Sequence, residues 1–138
     1  MEQGIEREPH ARKKYESFCN CIVDEVGGIQ DGELWYSPDG MVGEDGLIEI
    51  KCPQPVKHLR NLLDVEMWKD YEHQIQFGLM VSGRKWCDFI SFNPDFPSDN
   101  AFKVVRVERD EAYIALLRER VKALDVMVKG IESEVKHD

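Results

Sequence analysis

Residues 37–53 read SPDGMVGEDGLIEIKCP, and the reading of this stretch decides the fold. The alternation over 47–52 predicts a strand, entered through the turn residues Glu44, Asp45 and Gly46. Strand side chains alternate between faces. Glu49 and Lys51 therefore point one way, and Ile48 and Ile50 point the other way, into a core. Asp39 lies in a turn ten residues before Glu49. A carboxylate and an ammonium side by side on a strand, with a second carboxylate delivered by the preceding turn, make a geometry suited to a metal ion. Asp39 and Glu49 are hard oxygen donors of the kind that Mg2+ or Mn2+ takes.

Upstream of this hairpin, residues 4–21 predict a first helix, with Ile5, Ala11, Tyr15 and Phe18 at roughly helical spacing. Pro9 suggests that the regular helix begins there, which places Glu8 at or just before its N-terminus. Gly27 and Gly28 end the segment. Short strands follow near Ile29, over 34–37 and over 40–42, with Asp31-Gly32 as a hairpin turn.

Downstream, Pro53 and Pro55 stop the sheet. Residues 56–63 read as a short helix or an ordered loop. Residues 68–82 read as a helix with Trp68, Tyr71, Ile75 and Leu79 on one face and Gly83 as its C-cap. A buried strand over 86–92, a loop over 93–100 and a strand over 101–107 come next. A long helix from 109 to about 135 closes the chain, broken or frayed near Gly130. The order α-β-β-β-α-α-β-β-α predicts a single α/β (α+β) domain over 1–138, a central mixed sheet flanked by helices.

The chain has 138 residues, 42% of them apolar and 33% charged, which fits one globular domain with one core. No apolar run approaches the roughly 20 residues of a membrane span. The N-terminus is charged from residue 2 and shows no secretory signal. A net charge of −9 argues against a nucleic-acid partner. Two features offset it: acidic metal ligands count against the total until the metal binds, and the basic residues clump at Arg12-Lys13-Lys14, at Lys57-His58 with Arg60, and at Arg84-Lys85. Cys19, Cys21, Cys52 and Cys87 form no CxxC pair and read as reduced, mostly buried thiols. Cys19 and Cys21 on a helix would not share a face, which disfavours a four-cysteine cluster. His10, His58, His73 and His137 lack ligand spacing and read as surface or packing residues. Trp35, Trp68 and Trp86 read as core.

Pro38-Asp39 followed by Glu49-Ile50-Lys51 forms a (P)D…(D/E)xK motif. In its extended form, SPDG…GLIEIKCP, it resembles the phage lambda exonuclease and YqaJ-type viral recombinase family. Glu8-Pro9-His10-Ala11-Arg12 with Tyr15-Glu16 is similar to that family's glutamate-bearing first helix. Residues 71–77, YEHQIQF, resemble its glutamine-bearing helix. Val107-Glu108-Arg109-Asp110-Glu111 with Tyr113 resembles its last strand-to-helix junction. The resemblance spans about residues 4–128.

It implies a restriction-endonuclease-like fold and Mg2+-dependent hydrolysis of DNA phosphodiesters, with Mn2+ able to substitute and two ions per site. Asp39, Glu49, Glu8 and the backbone carbonyl of Ile48 would serve as metal ligands. Lys51 would orient the attacking water or stabilise phosphate charge, and Gln74 would hold the water or a neighbouring ligand. Arg12, Ser37, Lys57 and Arg60 are candidate DNA contacts. The implied activity is 5′ to 3′ exonucleolytic digestion of double-stranded DNA in phage-type recombination, in the cytoplasm of a bacterial host. The implied partners are double-stranded DNA, a single-strand annealing protein and further copies of the chain in a ring trimer.

The family's N-terminal helical segment carries an arginine that engages the DNA 5′-phosphate. The seven residues before Glu8 hold no counterpart, so the 5′-end anchoring, direction and processivity that the resemblance implies lack that support. Two alternatives stand beside the exonuclease: a structure-dependent or single-strand endonuclease on the same core, and a non-catalytic module that binds DNA or a partner. Taken without the motif, Glu49 and Lys51 read as a solvated ion pair, Glu8 as a surface glutamate and Gln74 as a polar helix-face residue.

Overall fold

Strand β5 (Gly46–Lys51) is the centre of the molecule, and its first five residues are all buried. The computed structural model describes the backbone of residues 2–137 and the side chains of residues 7–127; the side chains of Ile5 and His137 lie outside what is described. The sheet order is β1 (Val23–Asp24), β4 (Gly40–Val42), β5, β6 (Trp86–Phe92), β7 (Phe102–Glu108). The β5–β6 pair is parallel, with Glu49 opposite Phe89 and Lys51 opposite Ser91, and the other pairs are antiparallel. A parallel pair needs a long crossover, here α2 (Pro55–Leu62), a 3-10 turn (Lys69–Tyr71) and α3 (Glu72–Ser82). A separate hairpin of β2 (Ile29–Asp31) and β3 (Leu34–Tyr36) turns at Asp31–Leu34 as expected.

The two faces of the sheet carry two cores. On one, Leu47, Cys87 and Phe89 pack with Tyr36, with Ile75 and Leu79 of α3 and with Ile114 of α4 (Glu111–His137). On the other, Ile48, Ile50, Ile90 and Phe92 pack against Ala11 and Tyr15 of α1 (Glu2–Cys19). Gly78 lets α3 approach β3, because a Cβ there would stand 2.4 Å from the Tyr36 ring. Gly83 caps α3 with φ 72, a left-handed conformation glycine adopts at little cost. Gln76 ties α3 to the β7–α4 junction: its amide donates to the Glu108 carbonyl at 3.0 Å and its oxygen accepts from Asp110 N–H at 3.0 Å.

The mixed sheet between helices matches the sequence reading, and several details differ. Helix α1 begins at Glu2 and runs through Pro9, so Glu8 sits inside the helix rather than at its start. Strand β1 was not expected; its two residues pair with β4. Helix α4 continues through Gly130 without a break, glycine costing only about 1 kcal/mol in a helix interior. The 68–82 segment is divided into a 3-10 turn and an α-helix. Trp35 is 58% exposed rather than core. Cys19 and Cys21 are joined as a disulfide, not free thiols. Asn20 between them has φ 53, and this left-handed residue turns the chain off the helix so that two cysteines at i and i+2 can meet. Cys52 and Cys87 are free.

Candidate active site

The carboxyl end of β5 is bracketed by α1 on one face of the sheet and α3 on the other, with the β3–β4 turn at its edge. That turn delivers Asp39. Its N–H donates to the Ile48 carbonyl at 3.2 Å, and its Oδ2 accepts from the Ile50 N–H at 2.7 Å. Asp39 is therefore pinned to β5 through the main chain, whatever its neighbours do.

Glu8 arrives from α1, which is held on the sheet by Ala11 and by Tyr15, whose hydroxyl donates to Asp88 Oδ2 at 2.6 Å. Glu8 lies seven residues before Tyr15, two helical turns away and on the same side. Its carboxyl reaches that of Asp39 and the two are in hydrogen-bonding contact. Burial, and then the nearby Asp39 charge, push Glu8 above the usual carboxylate range. Arg12, one turn on, pairs with Glu8 Oε1 at 2.7 Å and opposes that rise.

Glu49 faces α3 and is 3% exposed. Its Oε2 accepts a long hydrogen bond of 3.4 Å from the Gln74 amide, and its Oε1 is buried with no partner. Burial raises its pKa to about 7; the Lys51 charge works against that rise and the Glu8 charge adds to it. Lys51 lies over the Tyr71 ring, its Nζ 4.6 Å from the centroid, and the same ring packs on Phe89. The structure thus brings Glu8, Asp39, Glu49, Lys51 and Gln74 to one end of the sheet.

These residues fit a divalent cation. A buried carboxylate oxygen without a donor is costly unless something positive arrives, and a pair of contacting carboxyls beside it invites the same charge. Among the described residues, no three His, Cys, Asp or Glu side chains close a cage by themselves. An open set of one or two carboxylates, completed by backbone oxygen and water, is how Mg2+ is commonly held.

The expected backbone ligand is less well placed. The Ile48 carbonyl is already engaged by Asp39 N–H. Ile50 presents its N–H to Asp39, and a strand residue's carbonyl lies on the same edge as its N–H, so the Ile50 oxygen faces the Asp39 side one ladder step further on. Alternation puts both carbonyls on that edge, two residues apart, and what separates them is the bond that Ile48 already accepts.

The expected DNA contacts fare unevenly. Arg12 is turned inward and committed to protein acceptors. Ser37 is exposed and donates to the Gly27 carbonyl at 3.1 Å. Lys57 lies 3.7 Å from Asp70, and Arg60 is exposed. Much of the clumped basic charge serves the fold. Lys14 bonds the Ser98 carbonyl, Arg84 gathers the Gly43 and Gly46 carbonyls, and Lys85 faces Asp45. His58 is fully buried between Ser91 Oγ (2.8 Å) and the Asn100 carbonyl (2.7 Å), a packing role.

Residues 1–85, which hold all five residues gathered at this site, match the model of the YqaJ-like viral recombinase domain. The fold superposes on the crystal structure of an alkaline exonuclease, LHK-Exo, from Laribacter hongkongensis with a TM-score of 0.91 and 37% identity, over 99% of this chain and 72% of that chain. The same exonuclease in complex with dAMP gives a TM-score of 0.90 at 37% identity, with the same coverage of 99% and 72%. A phage-related exonuclease from Haemophilus somnus 129PT shares the fold, with a TM-score of 0.77 at 15% identity over 94% of this chain and 70% of that chain. No curated protein matches the chain.

Proposed function

The chain belongs to the YqaJ-like viral recombinase domain family, and from that premise we propose that it is a Mg2+-dependent exonuclease acting on double-stranded DNA. The observation that carries this reading is the partnerless, buried Oε1 of Glu49 beside the contacting carboxyls of Glu8 and Asp39. Asp39, Glu49 and Glu8, with water completing the shell, would hold Mg2+ or Mn2+, up to two ions per site, and the Ile50 carbonyl is better oriented than that of Ile48 to join them. Bound there, the cation polarises a phosphodiester and makes a strong nucleophile available at neutral pH.

The chain's own groups do the rest. Lys51 is held by Tyr71 on the same face as Glu49. It presents an ammonium to the phosphate oxygen on which negative charge builds and orients the attacking water. Gln74 fixes the Glu49 carboxylate through Oε2 and leaves Oε1 for the ion. Lys57 and Arg60 on α2, directly after the active strand, supply phosphate contacts in place of Arg12.

The product is a 3′ single-stranded tail, digestion runs 5′ to 3′, and the setting is phage-type recombination in a bacterial cytoplasm, upstream of an annealing protein. Among the described residues no helix is long and apolar enough to cross a membrane. The test is digestion of end-labelled linear duplex and covalently closed circles in Mg2+. Linear DNA should lose its 5′ label first and circles should survive, and Asp39→Ala and Lys51→Ala should each lower the rate by about 1,000-fold or more. Cleavage of circles would favour an endonuclease on the same core, and full activity in either variant would sink the site.

A further inference from the structure

One guanidinium joins the separate parts of this site. Arg12 Nη2 pairs with Glu8 Oε1 at 2.7 Å, Nη1 pairs with Glu25 Oε1 at 2.8 Å, and Nε donates to the Asp39 main-chain carbonyl at 3.1 Å. The three acceptors come from three places: α1, the segment between β1 and β2, and the β3–β4 turn. The Arg12 side chain is 14% exposed.

Apart from the contact between the two carboxyls, no other group among the described residues bridges Glu8 and the turn that carries Asp39. Helix α1 is anchored at Tyr15 and Ala11, but Glu8 stands two turns from the Tyr15 bond, at the end of a flexible side chain. Its carboxyl contacts that of Asp39, and two like groups in contact repel once both are ionised. Arg12 answers both problems. Its charge offsets the carboxylates, and its planar fork reaches several acceptors in fixed directions, which the single ammonium of lysine does not reproduce.

We propose that Arg12 is a positioning residue. It sets the geometry in which Glu8 and Asp39 are presented to a divalent cation, and it is not a phosphate contact. The proposal rests on the metal-dependent reading above. Groups that orient metal ligands from behind typically change metal affinity by 10- to 100-fold when removed, whereas phosphate contacts change the affinity for DNA and its dependence on salt.

The test uses Arg12→Lys, which keeps the charge and loses the fork, with Glu25→Gln as a second variant that removes one arm from an exposed position. Mn2+ binding is measured by electron paramagnetic resonance without DNA, and KM for linear duplex is measured across a salt series at saturating Mg2+. Arg12→Lys should weaken Mn2+ binding by about 10-fold, leave KM and its salt slope unchanged, and recover activity as Mg2+ is raised. Glu25→Gln should weaken Mn2+ binding by about 3-fold, and it carries the test alone if Arg12→Lys does not fold. Unchanged or tighter Mn2+ binding overturns the proposal. So does a raised KM whose salt slope falls by about one, the mark of a lost phosphate contact. Wild-type protein that binds no Mn2+ overturns the metal-dependent reading itself, and this proposal with it.

Discussion

Two carboxylates are buried on neighbouring strands, and they are treated in opposite ways. Asp88 on β6 is 3% exposed, and its two oxygens are saturated: Arg106 donates to Oδ1 at 2.8 Å and to Oδ2 at 3.0 Å, and Tyr15 donates to Oδ2 at 2.6 Å. Glu49 on β5 is equally buried. It has a single long bond from Gln74 and one oxygen with nothing. Arg106 in turn stacks on the Trp86 ring at 3.6 Å, which holds its guanidinium in place over Asp88. A saturated buried carboxylate is architecture; a deprived one is poised for something the chain does not itself contain. Position in the sheet does not separate them, since both sit mid-strand on adjacent strands.

The largest effect that follows is on activity. Glu49→Gln keeps the shape and removes the charge, so the rate of linear duplex digestion should fall by about 1,000-fold, while circular dichroism shows an intact fold. Retained activity would place Glu49 with Asp88, as scaffold.

The converse change comes next. Asp88→Ala leaves the Tyr15 hydroxyl unpaired beneath α1 and releases Arg106, which should lower unfolding free energy by about 3 kcal/mol in a urea titration. A loss below about 1 kcal/mol would mean that the cluster is not what holds α1 in place.

A smaller effect concerns pH. Glu49 is raised from 4.5 to about 7 by burial, so the folded protein binds this proton more tightly than the unfolded chain does. The stabilisation is complete below about pH 4.5 and is lost as pH rises through about 7, where a buried carboxylate is left charged. Metal-free Glu49→Gln should therefore melt a few degrees above wild type at pH 8, and the gap should close as pH falls toward 5. Addition of Mg2+ at pH 8 should raise the wild-type melting temperature and not that of the variant. A gap that widens in acid would reverse the assignment.

The smallest effect belongs to Gln74→Ala. Its 3.4 Å bond orients Glu49 without being essential to it, and the rate should drop by about 10-fold with KM for DNA unchanged.

The sequence carried the centre of this site plainly. Asp39, Glu49 and Lys51 were legible because a period of two fixes which side chains share a face and because the flanking SPDG and CP punctuate the strand. Glu8 and Gln74 were legible only through their motif context. What was not legible has physical reasons. Inward commitment of Arg12 depends on Glu25, which arrives from a segment with no signal of its own. The turn at Asn20 that joins Cys19 to Cys21 depends on one positive φ that the sequence does not advertise. The basic clumps looked like a nucleic-acid footprint, yet Arg84 and Lys14 spend their donors on loop carbonyls, which charge counting does not register. The bond from Asp39 N–H to the Ile48 carbonyl depends on how the turn closes onto β5, which strand alternation does not show.

The parallel pairing of β5 with β6 also dictates when the site exists. Every residue gathered at the site lies between positions 8 and 74, but the strand that pairs with β5, with Phe89 in register beside Glu49, begins at Trp86. A nascent chain that stops short of β6 already holds all five residues of the proposed site, while β5 still lacks its parallel neighbour. The partner of Glu49 in the sheet lies 40 positions later in the chain, a long-range pairing of the slow kind. Translation thus emits the parts of the proposed centre well before the sheet that sets their geometry is complete.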